Sequence, residues 1–531
     1  MIESQQIDDL FAEWDKLDVP GCALGIMKEG SLIYAKGYGS ANLEYDIPNS
    51  ASSVFRIGSV SKQFTAACIV ILAEQEKLSL DDRLKSFFPN FPDYTEKITI
   101  RHLLHHTSGI RDYLLIAYLK GLGNDYFYLD ADIMKWLINQ HNLNFEPGEE
   151  FLYSNSGYWL LGQIVNKVAG KNMADFAREE IFKPLGMRNT HFHNDHREIV
   201  RNRASGYVPN GDEGYRISMT TLDMIGDGGI FTTIHDIKKW DDAYYNSNVL
   251  GKAFWKEMTQ PGVLNNGKVL NYACGLRIGE YKGLKFMRHG GAFVGYRAEF
   301  LRFPEEYISI AIFANRGDAK PSRKVNQVAD ILLKDKLIET KSKPEEIPQD
   351  DVITEEFQLY QLVGVYEAQP GVVARISLVN DTLHVLQIWN NQSYNIVKIH
   401  GNTYQIPGNK NLSFTFSDVK EGLTQTISVV DGGKKTTAKR KKEIDISGPD
   451  LNDFTGSYYS KELDVTYNLE IENGILKVRI EDKPSTMDCI VSDVDHFVMI
   501  LGIVKFLRTD SLISGFELDF GRVKNLKFER K

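Results

Sequence analysis

The spacing of apolar residues at the start of the chain predicts a helix and then a β-hairpin. One face of a helix is outlined by Ile7, Leu10, Phe11, Trp14 and Leu17. The next stretch, CALGIMKEGSLIYAKGYG from residue 22, has the composition of two strands joined by a turn at Glu29-Gly30. We therefore expect the chain to open with a helix followed by two antiparallel strands.

A second hairpin is predicted at residues 298–314, where the sequence reads AEFLRFPEEYISIAIFA. An amphipathic helix follows it, with an apolar face at Val325, Val328, Ala329 and Leu332. The sequence between the two hairpins has mostly helical patterns. The segment 334–356 is charged, contains proline and has no periodicity, which is typical of a linker between domains.

Beyond this linker, short alternating strands predominate, and one pattern with a G-x-Y start and an L-x-V end occurs twice. The matching residues, 92 or 93 positions apart, are Gly364 and Gly456, Tyr366 and Tyr458, Leu383 and Leu476, and Val385 and Val478. We interpret the region as two copies of one small antiparallel barrel or sandwich. The alternative is a coincidental match between two unrelated β-domains.

These patterns divide the 531 residues into four parts. We expect a first domain over 1–335, a linker over 336–356, and two β-barrel domains over 357–445 and 446–531. The length agrees with such a division, because one hydrophobic core rarely serves so long a chain.

Composition and charge narrow the classes of partner. The chain has 42% hydrophobic and 25% charged residues, as soluble globular proteins do. Its 62 basic and 71 acidic residues give a net charge of -9 and form no basic stripe, so we expect no nucleic-acid partner. The wide spacing of the cysteines argues against structural zinc and against a disulfide framework. They are Cys22, Cys68, Cys274 and Cys489.

The N-terminal sequence MIESQQIDDLFAEW has acidic residues where a signal peptide has basic ones, and it lacks an apolar core. No stretch of the chain reaches the roughly 18 apolar residues of a membrane span. We therefore expect no membrane span and a cytoplasmic protein if residue 1 is the native start. A periplasmic or secreted protein is expected if a signal peptide has been removed.

The stretch FRIGSVSKQFTAACIVILAEQ, residues 55–75, carries the first candidate chemistry. Its helix is apolar on nearly all sides and is therefore expected to be buried. Ser59 and Lys62 are three positions apart, so they share a helix face at about 5 to 6 Å between Cβ atoms. The helix N-terminus favours negative charge at the serine oxygen, and a buried lysine can act as its base. The alternative is a serine cap beside a lysine that reaches solvent.

Two further motifs accompany this pair. Tyr153-Ser154-Asn155 stands just ahead of another apolar helix, and His289-Gly290-Gly291 stands at the start of the second hairpin. With Ser59-x-x-Lys62, the chain resembles the penicillin-recognising serine hydrolases, the group of class C β-lactamases, D-aminopeptidases and related esterases. The stretches LLHHTSGI, PLGMRNT and GDGGIFTT match as well, and the resemblance covers about residues 7–335.

The resemblance implies a role for each motif residue. Ser59 would be the acylated nucleophile, Lys62 would help to activate it, and Tyr153 would relay protons to the leaving group and from water. Which of Lys62 and Tyr153 is the base stays open. Asn155 would orient the substrate amide and Lys62, the alternative being an asparagine that only caps the following helix.

The same resemblance implies an oxyanion hole made by the backbone N–H groups of Ser59 and Ala292. Gly290 and Gly291 would let the substrate backbone lie close to the strand. His106 and Ser108 are interpreted as holding a turn rather than as taking part in chemistry. No cofactor and no metal are expected.

The fold class implied is an α/β (α+β) β-lactamase/penicillin-binding-protein-like domain. It would consist of an antiparallel sheet built from the terminal hairpins, helices that cover it and an inserted helical lobe, with the site between sheet and lobe. Two small antiparallel β-barrels would follow.

One departure from the family pattern bears on the substrate. The lactamase branch has Lys-Thr-Gly where this chain has His289, and a largely neutral histidine is a weaker anchor for a substrate carboxylate. D-aminopeptidases combine H-G-G with two C-terminal barrels. We therefore expect an aminopeptidase or amidase that acts on a small molecule or short peptide, and a homodimer is left open. An esterase or weak β-lactamase is one alternative, and a penicillin-binding sensor or scaffold without turnover is another.

The second β-repeat contains the polar stretch RIEDKPSTMDC, residues 479–489, which is expected to form a projecting loop. In the D-aminopeptidase-like arrangement, a loop of the last barrel enters the cleft. Asp482 or Asp488 would then pair with a substrate ammonium. The alternative is a solvated spacer or surface-binding module.

Overall fold

The protein is described by a computed structural model. It describes residues 4–531 except 124–125, 247, 339–356, 370–371, 380, 388–391, 410–411, 432–433, 442–449 and 500. The chain forms two compact units, one of residues 1–114 and 122–342, the other of residues 115–121 and 343–531. Most of the predicted linker, residues 339–356, lies outside the described residues. No helix in the described part of the chain is both long and apolar enough to span a membrane.

A six-stranded antiparallel sheet organises the first unit. In spatial order its strands are Arg277–Tyr281, Leu284–Phe293, Tyr296–Phe303, Ile308–Ala314, Cys22–Lys28 and Ser31–Tyr38. Both predicted hairpins are therefore present, and the first turns at Glu29 and Gly30, whose positive φ angles of 49° and 77° suit a tight turn. The pairing of Cys22–Lys28 with Ile308–Ala314 joins the two ends of the domain in one sheet.

Helices cover both faces of this sheet. On one face, Ser4–Asp9 and Pro321–Leu332 enclose a core that includes Ile7, Leu24 and Val328. On the other face, Ile234 lies against Gly25, where a methyl group would come within 2.3 Å of its side chain. The buried ion pair of Arg302 and Asp241, 2.7 Å apart, fixes the helix Ile234–Tyr245 to the sheet.

The first helix is shorter than its apolar spacing predicts. It ends at Asp9, and the chain continues in tighter turns in which Leu10 bonds to Ile7 and Trp14 to Phe11. Leu17, predicted on the apolar face, is 54% exposed. The apolar spacing survives over Phe11 and Trp14 because the three-residue turns still direct both rings into the core.

The remaining elements between the two hairpins are mostly short helices, as predicted. The helices are Lys62–Glu74, Leu84–Phe87, Ile100–Leu104, Tyr113–Leu119, Asp130–Ile138, Asn155–Ala169, Met173–Ala177, Arg178–Phe182, Ile234–Tyr245 and Lys252–Met258, with shorter turns at Gly58–Ser61, Asp93–Thr95, Gly211–Glu213 and Pro304–Glu306. Small sheets are formed by Phe55–Arg56 with Ile230–Thr232 and His191–Phe192, by Ser40–Asn42 with Ile47–Pro48, and by Tyr207–Pro209 with Tyr215–Ile217.

The second unit contains two closed eight-stranded antiparallel barrels, which confirms the predicted fold class. The first has the strands Gly364–Gln369, Val372–Val379, Thr382–Gln387, Gln392–His400, Thr403–Gln405, Leu412–Lys420, Leu423–Asp431 and Lys434–Lys441, after a short helix Leu359–Leu362. The second has Gly456–Ser460, Val465–Glu472, Ile475–Ile480, Thr486–Asp493, His496–Met499, Gly502–Thr509, Leu512–Phe520 and Val523–Arg530, after a turn at Leu451–Phe454.

Residues 115–121 belong to this second unit although they lie far from it in sequence. The Tyr467 hydroxyl donates to the Leu119 carbonyl at 2.7 Å, and the Tyr118 ring stacks on Phe520 with 5.7 Å between centroids. No sequence pattern indicated this association, because it depends on packing between distant segments.

The repeated G-x-Y motif has the same structural role in both barrels. Tyr366 and Tyr458 are buried, and each hydroxyl donates at 2.9 Å to the carbonyl four residues earlier. The preceding Gly364 and Gly456 have φ of 154° and 134°, and an arginine from the last strand, Arg440 or Arg530, packs over each tyrosine ring. The repeat therefore reflects one barrel architecture used twice.

Candidate active site

A sharp turn presents Ser59 at the start of the buried helix Lys62–Glu74. The turn Gly58–Ser61 leads directly into this helix, and Gly58 has a left-handed φ of 51° that glycine adopts without strain. Ile57 precedes the turn and makes no side-chain cap bond. Lys62 is 0% exposed. The alternative of a capping serine beside a solvent-reaching lysine therefore does not describe this geometry.

Lys62 makes three hydrogen bonds that fix its amine beside the serine. Its Nζ donates to Ser59 Oγ at 3.2 Å, to Asn155 Oδ1 at 2.8 Å and to the Asp227 carbonyl at 2.5 Å. Three acceptors match the three N–H bonds of an ammonium group. Loss of one proton would leave a lone pair within hydrogen-bonding distance of the Ser59 hydroxyl, the arrangement that activates a serine nucleophile.

Asn155 is held in place by a buried carboxylate that the sequence analysis missed. Asp112 Oδ2 accepts from the Asn155 backbone N–H at 2.8 Å and from its Nδ2 at 3.0 Å, which leaves Oδ1 directed at Lys62. The side chain that caps the following helix belongs to Ser154, whose Oγ accepts from Gly157 at 3.3 Å. Asp112 stands two positions after the matched stretch LLHHTSGI, but only the folded chain brings it to Asn155.

The Tyr153 ring lies between Lys62 and His106. Lys62 Nζ is 4.9 Å from the Tyr153 ring centroid, and the His106 ring centroid is 4.3 Å from that of Tyr153. His106 Nδ1 accepts from the Ser154 backbone N–H at 3.1 Å, and His106 itself has a positive φ of 57°. In this geometry His106 supports the segment that presents Tyr153, the structural role expected for it. Ser108 also serves a turn, since its Oγ accepts from the Ile110 backbone at 3.3 Å.

His289 is buried in the strand Leu284–Phe293 and is held by two hydrogen bonds. Its Nδ1 contacts the Gly290 carbonyl at 2.7 Å and its Nε2 contacts the Tyr272 hydroxyl at 3.0 Å. A carbonyl only accepts, so Nδ1 carries the proton and Nε2 accepts from Tyr272. Burial and the nearby charge of Lys62 lower the pKa of His289 to about 3. The ring is therefore neutral at pH 7, in line with the expected loss of a carboxylate anchor.

The low pKa of His289 predicts an acid-dependent loss of stability. The unfolded chain protonates this histidine below about pH 6.5, whereas the folded chain does so only near pH 3, so falling pH favours the unfolded state. Between pH 7 and pH 5 this one residue should cost about 2 kcal/mol of unfolding free energy. In urea titrations, His289→Gln should lower the slope of stability against pH, and the exposed His235→Gln should not. Equal slopes for wild type and His289→Gln would contradict the burial effect.

The strand Leu284–Phe293 approaches the nucleophile turn very closely at Gly291. A methyl group on Gly291 would lie 1.9 Å from the Ile57 carbonyl oxygen and 3.1 Å from the Ser59 nitrogen. A methyl group on Gly58 would lie 2.8 Å from the Ala292 nitrogen. The two N–H groups expected to form the oxyanion hole thus belong to backbones in direct contact. Gly290 has another constraint, because a methyl group there would meet the Glu299 carboxylate at 2.9 Å.

A cavity of about 70 Å³ opens beside Ser59. Its lining residues are Arg56, Gly58, Ser59, Tyr113, Leu114, Asn155, Leu222, Met224, Asp227, Gly228, Gly229, Ala292 and Phe293. The cavity is lined by one basic residue, Arg56, and one acidic residue, Asp227. The sequence analysis assigned a role to neither. Asp227 lies inside the matched stretch GDGGIFTT and Arg56 stands three positions before Ser59, but their burial depends on distant parts of the chain.

Asp482 and Asp488 both belong to the second barrel. The stretch 479–489, expected as one projecting loop, is instead a hairpin in which residues 481–485 connect the strands Ile475–Ile480 and Thr486–Asp493. The expectation was wrong because Cys489 is buried in the barrel and Arg479 pairs with Thr486. Asp482 is exposed in the turn with a φ of 62°. Its pairing with a substrate ammonium stays a prediction.

Comparison with known proteins agrees with this site. Residues 7–334 match the family described as Beta-lactamase. The chain is 30% identical over 372 residues to penicillin-binding protein 4* of Bacillus subtilis (strain 168), covering 67% of this chain and 81% of that protein. It is 26% identical over 358 residues to a D-aminopeptidase of Gluconobacter oxydans (strain 621H), covering 67% of this chain. That alignment spans 65% of the D-aminopeptidase, slightly less than two thirds of its length.

Among solved structures, the octameric penicillin-binding protein homologue from Pyrococcus abyssi matches with a TM-score of 0.58 at 24% identity. The match covers 82% of this chain and 100% of that one, and it shows a shared fold. The resemblance inferred from three short motifs is confirmed by a match that extends over most of the first domain. The chain belongs to the Beta-lactamase family, and it is a serine hydrolase.

Proposed function

We propose that the protein hydrolyses short peptides or amino-acid amides from their amino end, through an acyl-enzyme on Ser59. The D-aminopeptidases among its relatives support this class of reaction. The observation that carries the proposal is the position of Asp227, an acidic residue that lines the cavity beside Ser59.

Asp227 is suited to bind a substrate ammonium. Its side chain is 8% exposed, and Oδ2 accepts from the Tyr113 hydroxyl at 3.1 Å. No other described residue donates a hydrogen bond to this carboxylate. Burial raises the pKa of the Asp227 carboxyl, and Lys62 acts in the opposite direction. A free amine on the substrate would supply a second cation and stabilise the ionised carboxylate.

The chemistry then follows from the arrangement around Ser59. The Ser59 oxygen attacks the amide carbonyl carbon, and its proton passes to Lys62 or Tyr153. The N–H groups of Ser59 and Ala292 stabilise the oxyanion. The C–N bond breaks and the amine leaves with a proton from Tyr153. Water then attacks the carbonyl carbon of the acyl-enzyme and gives a proton to Lys62 or Tyr153. The bond between that carbon and Ser59 Oγ breaks, Ser59 takes the proton back, and the free acid is released.

The test compares amino-acid p-nitroanilides that have a free amine with their N-acetyl counterparts, in both D and L series. We expect the wild type to prefer the free amines. Asp227→Asn should lower kcat/KM for the free amines roughly 30-fold or more, mainly through KM, because a paired charge is lost. The N-acetyl compounds should be little affected.

Asp223→Asn is the matched control, because Asp223 lies four residues away, contacts His196 and does not line the cavity. It should keep the wild-type preference. An unchanged preference in Asp227→Asn would contradict ammonium binding by Asp227. A burst of acylation without steady turnover on every amide and ester would instead indicate a penicillin-binding protein without hydrolytic function.

A further inference from the structure

Arg56 is a buried cation that has no hydrogen-bonding partner among the residues that the structure describes. Its side chain belongs to the strand Phe55–Arg56 and is 6% exposed. Nε is fully buried and has no acceptor, and none of the residues that the structure describes accepts a hydrogen bond from the guanidinium or forms an ion pair with it. Buried charges in proteins are normally paired, so an arginine in this state calls for an explanation.

Two aromatic rings pack beside the Arg56 guanidinium, but they carry no charge that could neutralise it. The guanidinium carbon lies 5.0 Å from the Phe293 ring centroid and 5.9 Å from that of Phe231. Such contacts with aromatic rings satisfy no N–H group of the guanidinium, so its donors remain available for the two parallel hydrogen bonds that a carboxylate accepts. Asp227 acts on Arg56 only through space, and its own side chain bonds to Tyr113.

Arg56 lines the same cavity as Ser59, so its side chain borders the space beside the nucleophile. The described lining includes Ser59, Asn155 and Ala292 but neither Tyr153 nor His289. In the proposed reaction Tyr153 protonates the leaving amine, which places the leaving group on the side of Tyr153. The cavity is therefore the space for the acyl group.

We propose that Arg56 binds a carboxylate carried by the acyl group of the substrate. The identity of that acyl group rests on the proposed function: with the ammonium at Asp227 and the carboxylate at Arg56, the amino-terminal residue is an acidic amino acid. The neutral His289 does not oppose this assignment, because it does not line the acyl cavity. A negative charge is thus favoured on the acyl side of the scissile bond.

The decisive test uses esters, because they need no amine. The p-nitrophenyl hemi-ester of glutarate is compared with p-nitrophenyl 4-carbamoylbutanoate, which replaces the free carboxylate by an amide of nearly the same shape. The wild type should favour the hemi-ester in kcat/KM by about 10-fold or more, as charge-assisted hydrogen bonds do. Arg56→Gln should remove the preference, and Arg56→Lys should keep part of it.

Arg316→Gln is the matched control, since Arg316 is also a buried arginine of the first unit but pairs with Asp318 and does not line the cavity. It should keep the full preference. A purely structural role of Arg56 would lower the hydrolysis of both esters alike and leave their ratio unchanged, which would overturn the proposal. Equal kcat/KM for the two esters in the wild type would overturn it too.

Two further measurements separate the outcomes. Thermal unfolding is followed with chloride and with glutarate in wild type and Arg56→Gln. Stabilisation by chloride alone that depends on Arg56, without an ester preference, would mean a resident counter-ion and would overturn substrate binding.

Glutamyl and glutaminyl p-nitroanilides are assayed beside the esters. If neither amide is hydrolysed but the ester preference depends on Arg56, the aminopeptidase function fails while the carboxylate site stands. If both amides are hydrolysed equally and the esters show no preference, the carboxylate site fails while the aminopeptidase function stands.

Discussion

Replacing Ser59 by alanine should abolish turnover, with a loss of about 10⁴-fold or more, as in other enzymes that lose a serine nucleophile. No acyl-enzyme can form, since the only hydroxyl that accepts a hydrogen bond from Lys62 Nζ in the described part of the chain is that of Ser59. The measurement is kcat/KM on a p-nitrophenyl ester together with labelling by a fluorophosphonate, read by intact mass.

Ser61→Ala provides the control for this prediction. Ser61 lies in the same turn, but its Oγ accepts from the Ile230 backbone N–H at 3.1 Å and makes no contact with Lys62 Nζ. The variant should still be labelled once and should keep most of its activity. Full labelling of Ser59→Ala would show that another residue is the nucleophile.

The parts of the site that sequence alone predicted are those in which chain neighbours become spatial neighbours. Ser59 and Lys62 are three positions apart, and a helical turn places both side chains on one face, where Oγ and Nζ lie 3.2 Å apart. The same holds for the hairpin at Glu29-Gly30, whose turn residues fix the pairing of the strands that follow. The contact of Lys62 with Asn155 spans 93 positions, and only the family resemblance anticipated it.

The residues that sequence analysis missed are polar side chains whose role depends on what the fold packs around them. Asp112 and Asp227 resemble ordinary surface acids in the sequence, yet both are buried and both contact the site. Arg56 stands three positions before Ser59, within the stretch 55–75. The rings that pack beside its guanidinium, Phe231 and Phe293, come from distant segments. Local pattern cannot report such desolvation, because burial is a property of the tertiary structure.

In the barrels, too, a motif within one strand can be recognised in the sequence, whereas contacts between distant strands cannot. The G-x-Y repeat is recognisable in the sequence because its glycine and tyrosine lie only two positions apart in one strand. The arginine that packs over each tyrosine, Arg440 or Arg530, comes from the last strand of its barrel. These two arginines are 90 positions apart, but no local pattern connects them with the tyrosines. The polar composition of residues 479–489 predicts one long loop, whereas only residues 481–485 connect the two strands, because Cys489 is buried in the barrel.

Replacing Lys62 by methionine should lower kcat roughly 100-fold or more, the usual contribution of a general base, while the protein stays folded. Methionine has nearly the length of lysine and no charge, so the change removes the amine beside Ser59 without leaving a large cavity. Thermal unfolding should show at most a modest loss, from the Asn155 oxygen and the Asp227 carbonyl that lose a donor. The control is Lys62→Cys alkylated with 2-bromoethylamine, which restores an amine at the same reach and should recover much of the lost activity. A wild-type kcat in Lys62→Met would assign the base to Tyr153, and alkylated Lys62→Cys that stayed inactive while folded would show that the defect is not the missing amine.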